Sequence, residues 1–277
     1  MKNILSIDVE SWVHFYGDAL KVGLPSAERK VLDSGYIIKV LHDLLNLLDV
    51  YKQKATFFVV AEIYDWYPDS IREIQHRGHE IGFHTHDHSI VTGRAVLEQQ
   101  LVKSERFIEE FHPLGFRAPQ IIVTPDVFSC LRQYGFKYSS STYDDVGNTV
   151  IDGITEIPVS TFFFRSRSGH DDVFPKKLSL GRLTRQIPFG SGLFLSLLGS
   201  QIQYFIDRFN KQGKCVTIFA HPWQIFPHAS MHSGRFLIKL LWRNPLCLPY
   251  VRNVHSQFEK LLKKYTFISF RDMLYGQ

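Results

Sequence analysis

Residues 80–89 read EIGFHTHDHS, an apolar run that ends in three histidines and an aspartate within five residues. The apolar part predicts a short buried strand, and such strands in α/β folds carry functional side chains at their carboxyl ends. His84 and His88 are four residues apart, so a helical turn or a tight loop lets both imidazoles converge on one ion. The alternative is a pair of loop histidines without a metal, since single motifs also occur by chance.

The segment SIDVESW, residues 6–12, supplies the carboxylates that such a centre needs. A hydrolytic metal centre takes a third protein ligand and leaves one position open for water. If residues 3–9 form a strand, Asp8 and Glu10 point to the same face, because side chains alternate along a strand. One carboxylate can then bind a metal while the other acts as a base.

Strand-like and helix-like segments alternate along the chain. Apolar runs predict strands at residues 2–8, 54–60, 79–85, 137–141, 154–161 and 214–222. Apolar residues at spacings of three and four predict helices at residues 35–51, 67–78, 95–111, 126–135, 201–213 and 254–265. This order is typical of the α/β class with a parallel sheet, and it provides enough units for a barrel. Polar groups follow the strands at Asp8, Glu10, His84 to His88, Arg117 and His221. We expect them to share one site, because the carboxyl ends of barrel strands meet at one face.

Length and composition predict a single domain over residues 1–277. The chain is 44% hydrophobic and 14% aromatic, which is enough for a large core and excludes a disordered protein. Two segments break the repeated order: a predicted inserted loop at about residues 165–200 and an irregular segment at about 224–252. The sequence shows no membrane-spanning window, no signal-peptide pattern and three cysteines without metal-like spacing, which predicts a cytoplasmic protein.

The net charge is +5, from 32 Lys and Arg against 27 Asp and Glu, and the last part of the chain holds much of the excess. A nucleic-acid-binding protein would carry a denser basic face with interleaved aromatic residues, so we exclude that class. The excess favours an anionic membrane face or a phosphate-bearing substrate. The alternative is that the basic residues are simply solvated on helix surfaces.

Two apolar segments also favour contact with a membrane. Residues 187–199, IPFGSGLFLSLLG, carry no charge, and residues 235–243, RFLIKLLWR, place apolar side chains between basic ones. Apolar area with basic flanks is typical of peripheral binding to anionic lipid, so we predict contact with the inner face of a membrane. In the first segment the contact residues would be Phe189, Leu193, Phe194, Leu195, Leu197 and Leu198. The alternative is that both segments pack on the barrel as core.

Four motifs, in this order, resemble those of the polysaccharide deacetylase family, carbohydrate esterase family 4, which carries the NodB homology domain. They are SIDVE at residues 6–10, HTHDH at 84–88, RAP at 117–119 and IFAH at 218–221. Segments 156–161, 187–194 and 221–225 resemble the branch associated with export of exopolysaccharides and cell-surface glycans. The resemblance implies a distorted (β/α) barrel that removes an N-acetyl group from an amino sugar of a surface polysaccharide or its lipid-linked precursor. It also implies a divalent metal ion, with zinc favoured and cobalt, nickel, manganese or iron as alternatives.

The resemblance assigns a role to each motif residue. Glu10, His84 and His88 bind the metal, and Asp8 is the general base for a water at the metal. Arg117 pairs with this base, and His221 is the general acid that protonates the departing amine. The residues expected to contact the sugar, with a backbone N–H near position 120 as part of an oxyanion hole, are Trp12, Phe116, Pro119, Gln120 and Trp223.

Two positions depart from the family pattern. Val9 replaces the second aspartate of the first motif, so Glu10 is the natural substitute ligand, and Ser139 stands where an aspartate often follows the third motif. The departures leave two alternatives: a catalytically silent glycan-binding protein on the same fold, or an amidohydrolase or deformylase that acts on a smaller amide. The combination of Asp8, Arg117 and His221 favours turnover, since a binding protein needs neither a base nor an acid.

Overall fold

The computed structural model describes residues 1–145, 147–164 and 184–276. Its strands are β1 Lys2–Val9, β2 Thr56–Val59, β3 Glu80–Phe83, β4 Gly115–Phe116, β5 Tyr138–Ser139, β6 Tyr143–Asp144, β7 Thr149–Ile151, β8 Ile154–Glu156, β9 Val159–Ser160, β10 Phe162–Phe163, β11 Gln186–Ile187, β12 Thr217–Ala220 and β13 Thr266–Ile268. Its α-helices are α1 Trp12–Leu20, α2 Ser26–Asp33, α3 Tyr36–Val50, α4 Ala61–Trp66, α5 Pro68–His76, α6 Arg94–Lys103, α7 Glu105–Phe111, α8 Asp126–Gln133, α9 Gly192–Leu198, α10 Ile202–Lys211, α11 Pro222–Ile225, α12 Gly234–Arg243, α13 His255–Lys264 and α14 Phe270–Tyr275. Short 3-10 helices cover Pro119–Ile121, Gly199–Gln201, Ala229–His232 and Pro245–Val251.

The main sheet has nine strands in the order β12-β1-β2-β3-β4-β5-β8-β7, and β13 also pairs with β1. All pairings in it are parallel except that of β7 with β8. The predicted fold class is confirmed, because helices cover a curled parallel sheet in a distorted (β/α) barrel. Asp8 is in register with Phe58, and Phe58 with Gly82, so the carboxyl ends of β1, β2 and β3 lie at one level.

The two faces of the sheet carry different cores. On the outer face, Leu5, Ile7 and Val9 of β1 join the large core that packs the helices on the sheet. A smaller cluster fills the inside of the barrel, and it consists of Ile4, Phe58, Tyr138, Ile157 and Phe270. Because side chains alternate, β1 turns Val9 into the outer core and Asp8 to the inside.

Two glycines make room for the inner rings. A Cβ on Gly82 would lie 2.5 Å from the Phe58 ring, and a Cβ on Gly115 would lie 2.1 Å from the Tyr138 ring. Phe58 and Tyr138 meet edge to face, with 6.3 Å between their centroids. A methyl group at either glycine would displace these rings, so the floor of the barrel interior depends on both positions.

The structure contains helices that the sequence analysis did not predict. Residues 12–33 form α1 and α2, and α1 begins after Ser11, whose hydroxyl accepts a hydrogen bond from Val13 N. The predicted helix 95–111 is interrupted at Ser104 and gives α6 and α7. The terminal segment forms α14, and Ser269 caps its first turn.

Residues 165–183 of the predicted inserted loop lie outside the described residues. The rest of that range forms β11 and α9, where Phe189, Leu193, Phe194 and Leu195 are buried. The predicted membrane contact through these four side chains is therefore wrong, because a helix without charged residues packs most of its faces on the barrel. The segment 224–252, expected to be irregular, contains α12 and two 3-10 helices. Within the described ranges, no helix combines the length and the apolar character needed to cross a membrane.

Candidate active site

The carboxyl ends of β1 and β3 bring Glu10, His84 and His88 together. Each residue offers one ligand atom, and the three atoms lie within 4.8 Å of one another. Glu10 Oε1 is 3.5 Å from His84 Nε2 and 3.0 Å from His88 Nε2. All three residues are buried. Two imidazoles and a carboxylate around one point are a ligand set that divalent transition metals accept.

The backbone after β3 orients both imidazoles. Thr85 and His88 have left-handed φ angles of 62° and 63°, so a tight loop brings the two rings within 5.1 Å of each other, centroid to centroid. His84 Nδ1 lies 2.7 Å from the carbonyl oxygen of Arg117. A carbonyl oxygen can only accept, so Nδ1 carries the hydrogen and Nε2 is left with its lone pair directed at Glu10.

Asp18 of α1 supports His88 from the opposite side. Its Oδ2 is 2.9 Å from His88 Nδ1 and accepts a hydrogen bond from Gln120 Nε2 at 3.2 Å. A carboxylate behind the distal nitrogen of a histidine fixes the orientation of the ring and makes the other nitrogen a better ligand. The Nε2 atoms of both rings thus face Glu10. Arg117 O holds His84 Nδ1 by a hydrogen bond, whereas Asp18 approaches His88 Nδ1 without the geometry of a good hydrogen bond.

The ligand atoms fit a cation. The Nε2 atoms of His84 and His88 are buried, and neither makes a hydrogen bond of good geometry to a described residue. Burial alone would raise the pKa of Glu10, but His88 and His221 hold it well below its ordinary value. Burial would likewise lower the pKa of His88, but Glu10 and Asp18 hold it well above its ordinary value. Metal ligands are deprotonated, so a cation bound at this point would displace protons from the imidazoles.

Asp8 and Arg117 form a second buried pair on the same floor. Arg117 Nη1 donates to Asp8 Oδ1 and to Ser6 Oγ, both at 2.8 Å. Its other donors reach Ser140, with Nε 2.9 Å from the carbonyl oxygen and Nη2 2.8 Å from the hydroxyl. The guanidinium is thus fixed on three sides, and it holds the Asp8 carboxylate in one orientation.

Three aromatic rings enclose the Arg117 guanidinium. Its central carbon lies 4.5 Å, 4.9 Å and 5.7 Å from the ring centroids of Phe58, Phe219 and Phe270. Cation–π contacts are strongest where the cation is desolvated, and Arg117 is fully buried. The partner of Asp8 is therefore built into the inner core of the barrel.

Ser139, which replaces an aspartate of the family pattern, is in register with Glu156 of β8. Glu156 Oε1 accepts hydrogen bonds from Ser141 N at 2.7 Å and Thr142 Oγ1 at 2.9 Å. Burial raises the pKa of Glu156 in spite of these donors and of the Arg117 charge. The neighbouring strand thus supplies a carboxyl group. Because burial raises its pKa, this group ionises less readily than an aspartate paired with arginine would.

His221 lies at the end of β12 and completes the ring of side chains around Glu10. Its Nε2 is 3.4 Å from Glu10 Oε1, and its Nδ1 donates to Gln224 Oε1 at 2.7 Å. Gln224 Nε2 donates in turn to Gly192 O and Ser196 Oγ, both at 3.0 Å, which fixes the orientation of the amide. Burial would lower the pKa of His221, but Glu10 outweighs this and raises it.

A cavity of about 930 Å³ opens above these groups. Its floor contains Asp8, Glu10, His88 and His221. Its walls are largely apolar and come from α1, from the loop before α2, from the 3-10 helix after β4 and from the segment after α12. A concave, mostly apolar cavity with a few convergent polar groups is typical of a small-molecule site.

Of the five residues predicted to contact a sugar, Gln120 and Trp223 line this cavity. Gln120 lies in the 3-10 helix after β4 and has a left-handed φ of 55°. Trp223 stacks on His221, with 4.6 Å between centroids and an interplanar angle of 18°, and on Phe15 from α1 at 4.5 Å. Trp223 thus contributes to the cavity wall and fixes the plane of the imidazole.

The prediction is wrong for Trp12, Phe116 and Pro119, which are buried and do not line the cavity. Phe116 is the last residue of β4 and Arg117 follows it, so alternation along the extended chain turns the Phe116 ring into the outer core. Trp12 is the first residue of α1, and its ring stacks on His228 at a centroid distance of 4.4 Å. At these positions the side chains pack in the hydrophobic core instead of lining the cavity.

Asp18 and Gln224 were not among the residues predicted from the sequence. For Gln224 a signal was available, because a glutamine three residues after His221 matches a capping arrangement at the start of a helix. Asp18 was missed together with α1, and no motif marked it.

A buried polar group behind α1 was also missed. His14 accepts from Ser11 N and approaches Glu62 Oε1 at 2.6 Å with its other nitrogen. Arg29 of α2 donates to both Glu62 oxygens at 2.7 Å. This group ties α1 and α2 to α4, and it therefore positions the wall of the cavity that carries Asp18.

Residues 31–139 match the family model described as polysaccharide deacetylase. A peptidoglycan-N-acetylglucosamine deacetylase of Bacillus cereus is 31% identical over 98 residues, which cover 34% of this chain and 46% of that protein. A second peptidoglycan-N-acetylglucosamine deacetylase of the same organism is 29% identical over 118 residues, 42% of each chain. The matched segments thus span less than half the length of these two relatives.

The fold has a solved counterpart as well. A crystal structure from Mycobacterium smegmatis, described as that of a polysaccharide deacetylase, aligns with a TM-score of 0.52 at 17% identity and covers 96% of this chain and 93% of that one. The family match includes His84, His88 and Arg117, whereas Asp8, Glu10 and His221 lie outside it and are joined to them by the fold. The chain is therefore similar to polysaccharide deacetylases over residues 31–139, and it shares the fold of the solved structure along most of its length.

Proposed function

We propose that this protein is a metal-dependent hydrolase that removes the N-acetyl group from an amino sugar of a bacterial surface polysaccharide or of its lipid-linked precursor. The observation that carries the proposal is the convergence of three kinds of group on one cavity floor. These are a metal-ligand set around Glu10, the Asp8–Arg117 pair, and His221, whose Nε2 lies 3.4 Å from Glu10. Ester or amide hydrolysis needs an activated water, a base and an acid at one point.

Glu10, His84 and His88 would hold the metal, with zinc favoured by two imidazoles and a carboxylate. When bound, such a cation activates water and polarises a carbonyl oxygen. Val9, the departure in the first motif, lies in the outer core, so Glu10 is the next carboxylate on the inner side. This geometry supports Glu10 as the substitute ligand.

Asp8 acts as the general base. Its carboxylate lines the cavity floor, and its hydrogen bond to Arg117 at 2.8 Å leaves the other oxygen for a proton from the attacking water. Arg117 serves as a positioning residue, because four hydrogen bonds and three rings fix its guanidinium.

His221 acts as the general acid. Its Nδ1–H is held by Gln224, so the proton on Nε2 is the one that faces the cavity and can pass to the departing amine. Glu10 raises the pKa of His221, which favours retention of this proton on the imidazole. The Trp223 ring, stacked on the imidazole, offers a flat apolar wall to a sugar, and the backbone N–H near Gln120 is the proposed oxyanion donor.

The sequence has three cysteines without metal-like spacing, Cys130, Cys215 and Cys247, which favours a reducing compartment, so we propose a cytoplasmic reaction in the branch concerned with exopolysaccharides. The second candidate function is a catalytically silent glycan-binding protein, which Ser139 and the weak anion at Glu156 favour. A smaller amide or formamide remains the alternative substrate for the same residues.

The experiment is acetate release from N-acetylated hexosamine oligomers by protein loaded with zinc, cobalt, nickel, manganese or iron. Turnover by the wild type and its loss in Asp8→Asn support the proposal. A glycan-binding protein would bind the oligomers equally in both forms and release no acetate. An enzyme for smaller amides would hydrolyse N-formyl or N-acetyl monomers and leave the oligomers intact.

A further inference from the structure

Helix α12 presents an apolar stripe to solvent. Ile238, Leu241 and Trp242 are spaced three and four residues apart, so they lie on one face of the helix, and they are 60%, 54% and 83% exposed. The opposite face packs on the protein through Phe236 and Leu240, which are buried. The exposed stripe is therefore not needed to hold the helix in place.

The charged residues of α12, and of the sequence on either side of it, have one sign. Arg235, Lys239 and Arg243 of α12 are exposed, and residues 208–258 contain no aspartate or glutamate. A helix with an apolar stripe, an exposed tryptophan and basic flanks is complementary to an anionic lipid surface. A second protein would have to supply both the apolar contacts and the acidic groups that an anionic bilayer offers together.

The stripe lies next to the mouth of the cavity. Arg243 Nη1 donates to the carbonyl oxygen of Leu20 at the end of α1, a helix that lines the cavity. The chain then passes directly into Asn244, Leu246 and Cys247, which line the cavity too, and Leu246 is 46% exposed. Apolar surface thus continues from the stripe to the rim.

We propose that the exposed face of α12, defined by Ile238, Leu241, Trp242 and the three basic residues, docks on an anionic lipid bilayer. The cavity mouth then lies at the membrane surface, where an amino sugar attached to a lipid carrier is within reach. The docking depends on α12 alone. Only the identity of what enters the cavity rests on the proposed function.

Vesicle sedimentation at low and high salt tests the docking. Wild-type protein is expected to sediment with vesicles of equal parts phosphatidylcholine and phosphatidylglycerol and to remain in solution with phosphatidylcholine alone. Ile238→Ser with Trp242→Ser should weaken this binding by at least about tenfold, because the apolar contact area is lost. Arg235→Glu with Lys239→Glu should weaken it by at least about fivefold for each basic residue removed.

Matched controls keep the test independent of folding and of net charge. Val50→Ser with Val102→Ser removes two equally exposed apolar side chains from other helices, and Lys2→Glu with Lys137→Glu reverses two exposed charges at the amino ends of β1 and β5. Both controls should bind vesicles as the wild type does. All variants should retain hydrolysis of soluble oligomers, so loss of docking and loss of the proposed activity are separate readouts.

Equal vesicle binding by the wild type and the α12 variants would overturn the proposal. A wild-type dimer that dissociates in the α12 variants, measured by sedimentation velocity without vesicles, would assign the face to a second copy of the chain and would overturn it as well.

Discussion

The two halves of the site are satisfied in different ways. In the proton half, Asp8, Arg117 and His221 find protein partners, and the four hydrogen bonds of Arg117 are 2.8 Å or 2.9 Å long. In the ligand half, the buried Nε2 atoms of His84 and His88 have no hydrogen bond of good geometry to a described residue. Folding alone thus sets the proton half, whereas the ligand half has contacts left to make. A cation bound as proposed above would complete the second half without reorganising the first.

Removing a ligand should give the largest effect. His88→Ala leaves two of three proposed ligands, so the variant is expected to lose bound metal and, with it, more than about 10⁴-fold in kcat/KM. Elemental analysis and acetate release measure the two quantities. His86→Ala is the matched control, because His86 lies in the same loop outside the ligand trio. Full metal content in His88→Ala would remove the ligand half as defined here.

Asp8→Asn should separate the halves. The amide keeps the shape of the side chain but cannot take a proton, so we expect full metal content and a loss of about 10²–10⁴-fold in kcat. His221→Ala should be comparably impaired. Near wild-type turnover in Asp8→Asn would transfer the role of base to Glu10 and abolish the distinction between the halves.

Asp18→Asn should weaken the ligand half without removing a ligand. Loss of the carboxylate 2.9 Å behind His88 Nδ1 is expected to lower metal affinity about 10–100-fold, with a smaller change in kcat at saturating metal. Metal titration against a competing chelator measures the affinity. Asp43→Asn, which removes a carboxylate from the surface pair with Lys39, is the control. An unchanged metal affinity would mean that Asp18 contacts His88 without contributing to metal binding.

The smallest effect is expected at Glu156, on the edge of the proton half. Its pKa in the folded protein is raised above the ordinary value of 4.5, so the fold favours the protonated carboxyl. The free energy of unfolding of the wild type should therefore fall relative to that of Glu156→Gln as pH rises above 4.5. The reason is that Glu156 loses its proton at a lower pH in the unfolded chain than in the folded protein. Urea unfolding at acid and neutral pH measures the difference. A change of opposite sign would mean that Arg117 holds Glu156 as a charged partner.

The sequence was sufficient for the residues at strand ends. Asp8 and Glu10 share a face because strand side chains alternate, and the structure directs both inward. The same rule, applied to Phe116 and Arg117, would have excluded Phe116 from the cavity. The H-x3-H spacing indicated that His84 and His88 converge, but the left-handed φ angles at Thr85 and His88 that achieve this leave no mark in the residue pattern.

Residues supplied by other elements were harder to predict. Asp18 reaches His88 only because α1 folds back over the strand ends, and this depends on the buried contacts of His14 with Glu62. The apolar segments 187–199 and 235–243 also differ in burial, which their apolar residues alone do not predict. Leu195 of the uncharged segment is buried, whereas Trp242 of the segment with basic flanks is 83% exposed.

Three of the four tryptophans lie flat against a histidine: Trp12 on His228, Trp66 on His14, and Trp223 on His221. A protonated imidazole stacked on an indole quenches the fluorescence of the indole. The tryptophan emission intensity of this protein should therefore depend on the charge of these histidines. A variant that retains only Trp223 would follow the charge of the proposed acid directly. The fourth, Trp242, has no such neighbour among the described ring contacts and would change its emission on transfer from water to lipid.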